Sequence, residues 1–214
     1  VKRRIIILSV LMLLLAVTRI PGLAPWNFSP VYAMAFCAGA FFRGRWQWAL
    51  PLGVMLATDI GLNLYHQKQV AGSDYFTGTA LFYLLGNYGA YAVLFALGRW
   101  LGKSDRRNPL GLIGGGILGA LAFYFITNTL SWLLNPFHQP EYTRDLAGWI
   151  IALTKGAGGY PETWTFFRNT LMSGGLFTAL FVAAAEATEP EREPETDAGA
   201  EPESPVGAEP EQGV

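Results

Sequence analysis

Six apolar stretches in 214 residues constrain this chain more than any other feature. They run about 4–19, 29–43, 47–65, 77–101, 109–134 and 163–186. A helix needs roughly 20 apolar residues to cross a bilayer, within a range of about 17 to 25. The first two stretches are short and need flanking residues or a re-entrant fit. The breaks between stretches are sharp: Pro21, Pro25 and Pro30; Arg43-Gly44-Arg45; Gly72-Ser73-Asp74; residues 103–109; and a long connection over 135–162. Within that connection, TRDLAGWIIALT (143–154) is too short to span and suits a helix lying at the membrane interface. The expected fold is therefore all-α: a polytopic membrane protein with a six-helix domain over 1–186 and an acidic tail over 187–214. The first stretch has the basic start and apolar core of a signal peptide. Arg19-Ile20-Pro21 follows it instead of a small-residue cleavage site, so it reads as a retained first helix.

Charge orients the bundle. Charged residues make up 14% of the chain, against about 25% in an average soluble domain. Ten of the 16 acidic residues fall within 186–211, leaving a body with 14 basic and 6 acidic residues. With the N-terminus inside, inner segments carry nine basic residues (Lys2, Arg3, Arg4, Arg43, Arg45, Arg99, Lys103, Arg106 and Arg107). Outer segments carry five: Arg19, Lys68, Arg144, Lys155 and Arg168. The excess of Lys and Arg marks the cytoplasmic side, so six spans put both termini inside. The tail alternates Glu and Pro with Ala and Gly, cannot bury enough apolar area to fold, and reads as disordered.

Polar residues inside the stretches cluster at one depth. At about 1.5 Å per residue, Asp59 lies about 5 Å and Asn63 about 10 Å outside the midplane of the third span. Asn128 and Trp132 fall in the outer half of the fifth span, and Arg168 and Asn169 in the outer half of the sixth. Asn87 sits near the middle of the fourth. A charge at the centre of a span costs of the order of 3 kcal/mol on insertion scales and normally faces protein or water. The shared depth points to a solute cavity opening outward. In it, Arg168 would hold a carboxylate or phosphate, Asp59 would pair with an ammonium or relay a proton, and Trp132 would stack on a ring. The bland reading is hydrogen bonding between helices, with an Asp59–Arg168 ion pair as a compromise between the two. Gly111, Gly115 and Gly119, and Ala35 with Gly39, recur at four-residue spacing and read as close packing inside the bundle.

Enzyme chemistry finds no foothold. GRWLGKS (98–104) is one residue short of a phosphate loop and follows no strand. No metallopeptidase helix, nucleophile elbow or acidic metal loop is present, and Cys37 is the one cysteine. His66 and His138 lie in different loops, and nothing fixes a metal geometry around them. No cofactor, metal or nucleic-acid partner is expected. The expected partners are the lipid bilayer and a small molecule.

Several blocks resemble a known family. They are PWNFSPVYAMAFCAGA (25–40) running into FFRGRWQWALPLGVMLATDIGLNLY, then FYFITNTLSWL (123–133), YTRDLAGWIIAL (142–153) and FFRNTLMSGGLFTALF (166–181). The chain resembles, over roughly residues 18–185, an uncharacterised bacterial family of membrane transport proteins, classed as a domain of unknown function. The plan of that family is similar to the substrate-binding S components of energy-coupling-factor (ECF) transporters. That likeness implies six helices, both ends in the cytoplasm of a bacterial cell, and a vitamin pocket near the outer face. The pocket would be closed by the loops at 19–29, 66–76 and 135–162. S components dock on an energising module through an Ala-x-x-x-Ala pattern in the first helix, and residues 5–18 lack it. The expected function is capture or transport of a vitamin-like solute in the inner membrane. The alternative is a membrane scaffold that recruits partners through its acidic tail.

Overall fold

The structure, a computed structural model, describes residues 2–44, 48–69, 78–103, 108–135 and 138–188. The acidic tail expected over 187–214 lies outside the described residues beyond Thr188. The described residues form α1 (Lys2–Ala16) with a 3₁₀ turn (Val17–Arg19), α2 (Val31–Phe41), α3 (Ala49–Gln69), α4 (Gly78–Leu101), α5 (Pro109–Leu134), α6 (Leu146–Leu153) and α7 (Thr163–Glu186). The chain is all-helical over these residues. The fifth and sixth apolar stretches coincide with α5 and α7, and the interfacial segment contains α6. The second stretch shortens to eleven helical residues, because Pro30 precedes its first turn and Phe42 turns extended.

Local chemistry sets the helix ends. Asn108 caps α5 by accepting the Gly111 N–H at 2.6 Å, with Pro109 at the first helical position, where its missing N–H costs nothing. Asn135 closes α5 in the left-handed region at φ 40°, and its side chain is bonded to Gln139 through both amide atoms. Asp145 caps α6 by accepting the Gly148 N–H at 2.8 Å.

All eleven residues of α2 are buried. A helix that is apolar all round belongs at the centre of a bundle, and α2 packs on α4, α7, α5, α3 and α1. Its closest approach is to α4. A Cβ at Gly39 would collide with the Phe95 carbonyl, one at Gly98 with the Phe36 carbonyl, and one at Gly102 would meet the Ala40 carbonyl at 2.5 Å. Gly115 faces Phe36 and Leu101, and Gly119 faces Leu94. Gly39, Gly115 and Gly119 thus serve internal packing, whereas Gly111 meets the side chain of Asn108, the cap of its own helix. α3 packs on α1 and α2, which leaves a groove between α3 and α4.

Among the described residues one helix, α5, is long and apolar enough to cross a membrane by length and composition. α3 and α7 are diluted by Asp59, Asn63, Arg168 and Asn169, and α2 is short, so six spans go beyond what these two properties establish.

Candidate functional site

The site grows from the C-terminal end of α1. Arg19 ends the 3₁₀ turn, and its guanidinium folds onto α3. One terminal nitrogen donates to Asp59 Oδ1 at 2.6 Å and the other to Thr58 Oγ1. Thr58 in turn donates back to its own helix, with Val54 O at 2.8 Å and Met55 O at 2.9 Å. Tyr88 reaches across from α4, and its hydroxyl donates to Asp59 Oδ2 at 2.9 Å. The two ionic side chains are 9% and 10% exposed. Both carboxylate oxygens are therefore held, and three elements meet on one buried charge.

An aromatic row leads inward from this cluster. Tyr88 meets Tyr91 edge-on at 5.4 Å, Tyr91 stacks on Phe123 at 5.1 Å, and Phe123 meets Tyr32 at 4.8 Å. Below Tyr88, an apolar cavity of about 320 Å³ opens between α2, α3 and α4. Its size lies at the small end of ligand pockets, which run from roughly 300 to 1,000 Å³.

The seven residues singled out from the sequence separate into groups, and none of them lines this cavity. Asp59 is in the buried cluster, but its cationic partner is Arg19, not Arg168. The reason is reach: Arg19 folds directly onto Thr58 and Asp59 at the middle of α3, whereas α7 packs on α1, α2, α5 and α6. Exposed Arg168 lies over the Trp164 ring at 5.8 Å and donates weakly to Asn169 at 3.4 Å. Asn169 is buried, and its amide donates to the Trp26 carbonyl at 2.8 Å, tying α7 to the loop after α1. The Asn128 amide donates to Tyr124 O at 2.8 Å, within its own helix. The Trp132 indole donates to Thr143 O at 2.6 Å and ties the end of α5 to the residues just before α6. Asn63 and Asn87 are half-buried on α3 and α4.

Sequence reasoning missed Arg19 and Tyr88. Arg19 counted as a loop cation, although it contacts Asp59 directly. Tyr88 is the neighbour of Asn87, and one residue of helix turns a side chain by about 100°, toward α3 instead of away. Outside the bundle, the Asp145 carboxyl lies below its ordinary value because it accepts the Gly148 N–H and then the Thr143 hydroxyl. Burial pushes the Tyr142 phenol up. Among the described residues no three of His, Cys, Asp and Glu converge as metal ligands.

The fold and site define a helical-bundle protein with one buried three-way charge cluster above an apolar groove. The chain belongs to a family of unknown function, DUF6580, whose model matches residues 1–196. No curated protein and no solved structure matches the chain.

Proposed function

We propose that this is a multi-pass protein of the bacterial inner membrane that captures or transports a small solute. α1 to α5 and α7 cross the bilayer, with both termini inside. The outward faces of the bundle support this: Leu13 and Leu14 on α1, Leu56 and Ile60 on α3, Phe82 and Leu85 on α4, Leu118 and Phe125 on α5, and Met172 and Leu176 on α7 are all exposed. Apolar surface on every long helix of a bundle needs an apolar surrounding.

The observation that carries the solute reading is the buried Arg19–Asp59–Tyr88 cluster. Ionisable groups at membrane depth mark functional sites by default. Its chemistry allows partner exchange: a solute carboxylate can replace Asp59 on Arg19, and a solute ammonium can replace Arg19 on Asp59. Asn63 and Asn87 flank the cluster in sequence, while Asn169, with Arg168 beside it, holds the loop over 20–30 through the Trp26 carbonyl. Trp132 ties α5 to Thr143 ahead of α6, and Asn128 lies one turn earlier on α5, bonded within its own helix. A vitamin or vitamin precursor carries charged groups of the kind these partners take, and energising by a separate module is part of the ECF-like plan.

A second reading is structural: the pair is internal glue in a membrane scaffold whose acidic tail recruits partners. The mutual satisfaction of Arg19 and Asp59 favours it. Thermal-shift screening of the purified chain against vitamins and precursors separates the two. In the solute reading a ligand raises the melting temperature, and Asp59→Asn lowers its affinity tenfold or more while expression holds. In the structural reading no ligand responds. There, Asp59→Asn costs about 3–5 kcal/mol by leaving Arg19 unpaired, and an Arg19→Met/Asp59→Leu pair restores stability.

A further inference from the structure

Resting on the six-span reading with the N-terminus inside, we propose that the groove between α2, α3 and α4 binds an anionic phospholipid of the inner leaflet. The acyl chain lies in the groove and the phosphate lies on Arg99. The floor is small, Ala35 and Ala38 of α2, and the wall from α3 includes Met55 and Leu52. On α4, Tyr88, Tyr91, Ala92 and Phe95 line it. Arg99 follows Phe95 by four residues and so continues the same helical face. From Tyr88 to Arg99 this face runs about 16 Å.

The inner end carries the recognition. Arg99 is exposed and donates to the Phe42 carbonyl at 3.5 Å, which turns it toward the end of α2. A guanidinium has five N–H donors in a planar fork suited to phosphate. Trp48, which lines the groove and is half-exposed, sits at the level where indoles anchor at membrane interfaces. Arg43 braces this end of the α2–α4 joint by donating to Gly39 O at 2.9 Å and Gly102 O at 2.5 Å. Lys103 is exposed beside it. Inside a bilayer an apolar groove gains nothing from leaving water, so its lining alone selects no occupant. The cation at its cytoplasmic end does, because basic pockets between spans on that side take anionic head groups.

The test uses the full chain, purified and delipidated in a non-ionic detergent. Its melting temperature is read with phosphatidylglycerol and with phosphatidylcholine of the same chains. Phosphatidylglycerol should raise it several degrees more than phosphatidylcholine. Arg99→Gln should remove that excess, and Arg99→Lys should keep part of it. Ala92→Phe, an exposed position that fills the groove from its rim, should abolish the response to both lipids. Equal stabilisation by the two lipids, or an excess that survives both Arg99→Gln and Ala92→Phe, overturns the proposal. So does a dimer that Ala92→Phe converts to monomer, since a second copy would then be the occupant. Labelling that places residue 99 outside the cell breaks the six-span reading itself. With the orientation intact, a missing lipid preference breaks the lipid site alone.

Discussion

Asp59 shows what one residue can and cannot announce. A carboxylate in an apolar stretch is legible as important, because its burial is costly without a partner. Which partner it takes depends on how α1 lies across α3, and no spacing within either helix encodes that. Arg19 satisfies Asp59 from forty residues away. Asp145 is a local case, where sequence alone suffices: an acidic residue before an apolar run caps the helix it precedes. Its two hydrogen bonds depress its folded pKa, so the cap's contribution is complete above the unfolded value of about 3.9 and is lost as pH falls through the folded one. The Trp149 indole bonds Thr129 at 3.0 Å and reports on α6 docking. Its indole N–H resonance should hold steady from neutral pH down to the ordinary Asp range and move only below it. Asp145→Asn should remove that acid transition, and a transition unchanged in the variant would contradict the assignment.

At the scale of elements, the α2–α4 contact is the tightest joint in the bundle. Gly39, Gly98 and Gly102 let backbones touch, and the carbonyls they face are fixed atoms that cannot yield as a side-chain end would. Gly98→Ala should cost about 1–3 kcal/mol or more, from forced separation of the helices. Gly89→Ala on the same helix meets nothing within 4 Å and should be neutral or stabilising by up to about 1 kcal/mol. Thermal unfolding in detergent compares them, and equal effects would contradict the close approach. Helix positions were legible because apolar length and capping chemistry are local. The pairing was not. Ala35 and Gly39 were visible as a small-residue pattern, but Gly98 and Gly102, which complete the close approach against Phe36 and Ala40, lie in a stretch read for its basic residues. The groove itself arises because α3 sits on α1 and α2, a choice made by tertiary packing.

The whole molecule combines a central apolar helix with long helices that expose apolar faces. Together these make the membrane reading stronger than any single helix does, since α5 alone passes by length and composition. The shared depth of seven polar residues was a pattern in one dimension, and the bundle distributes them over several separate contacts. The central claim is the orientation of six spans, because both the Arg19–Asp59 cluster at the outer end and the Arg99 groove at the inner end take their meaning from it. Cysteine labelling of intact cells tests it most directly. Cys37 is fully buried, and Cys37→Ser provides a background without thiols. In that background Leu23→Cys and Tyr160→Cys, both exposed, should react with a membrane-impermeant maleimide from outside. Lys103→Cys should react only after the cells are opened. Labelling of position 103 in intact cells, with positions 23 and 160 protected, would contradict the account.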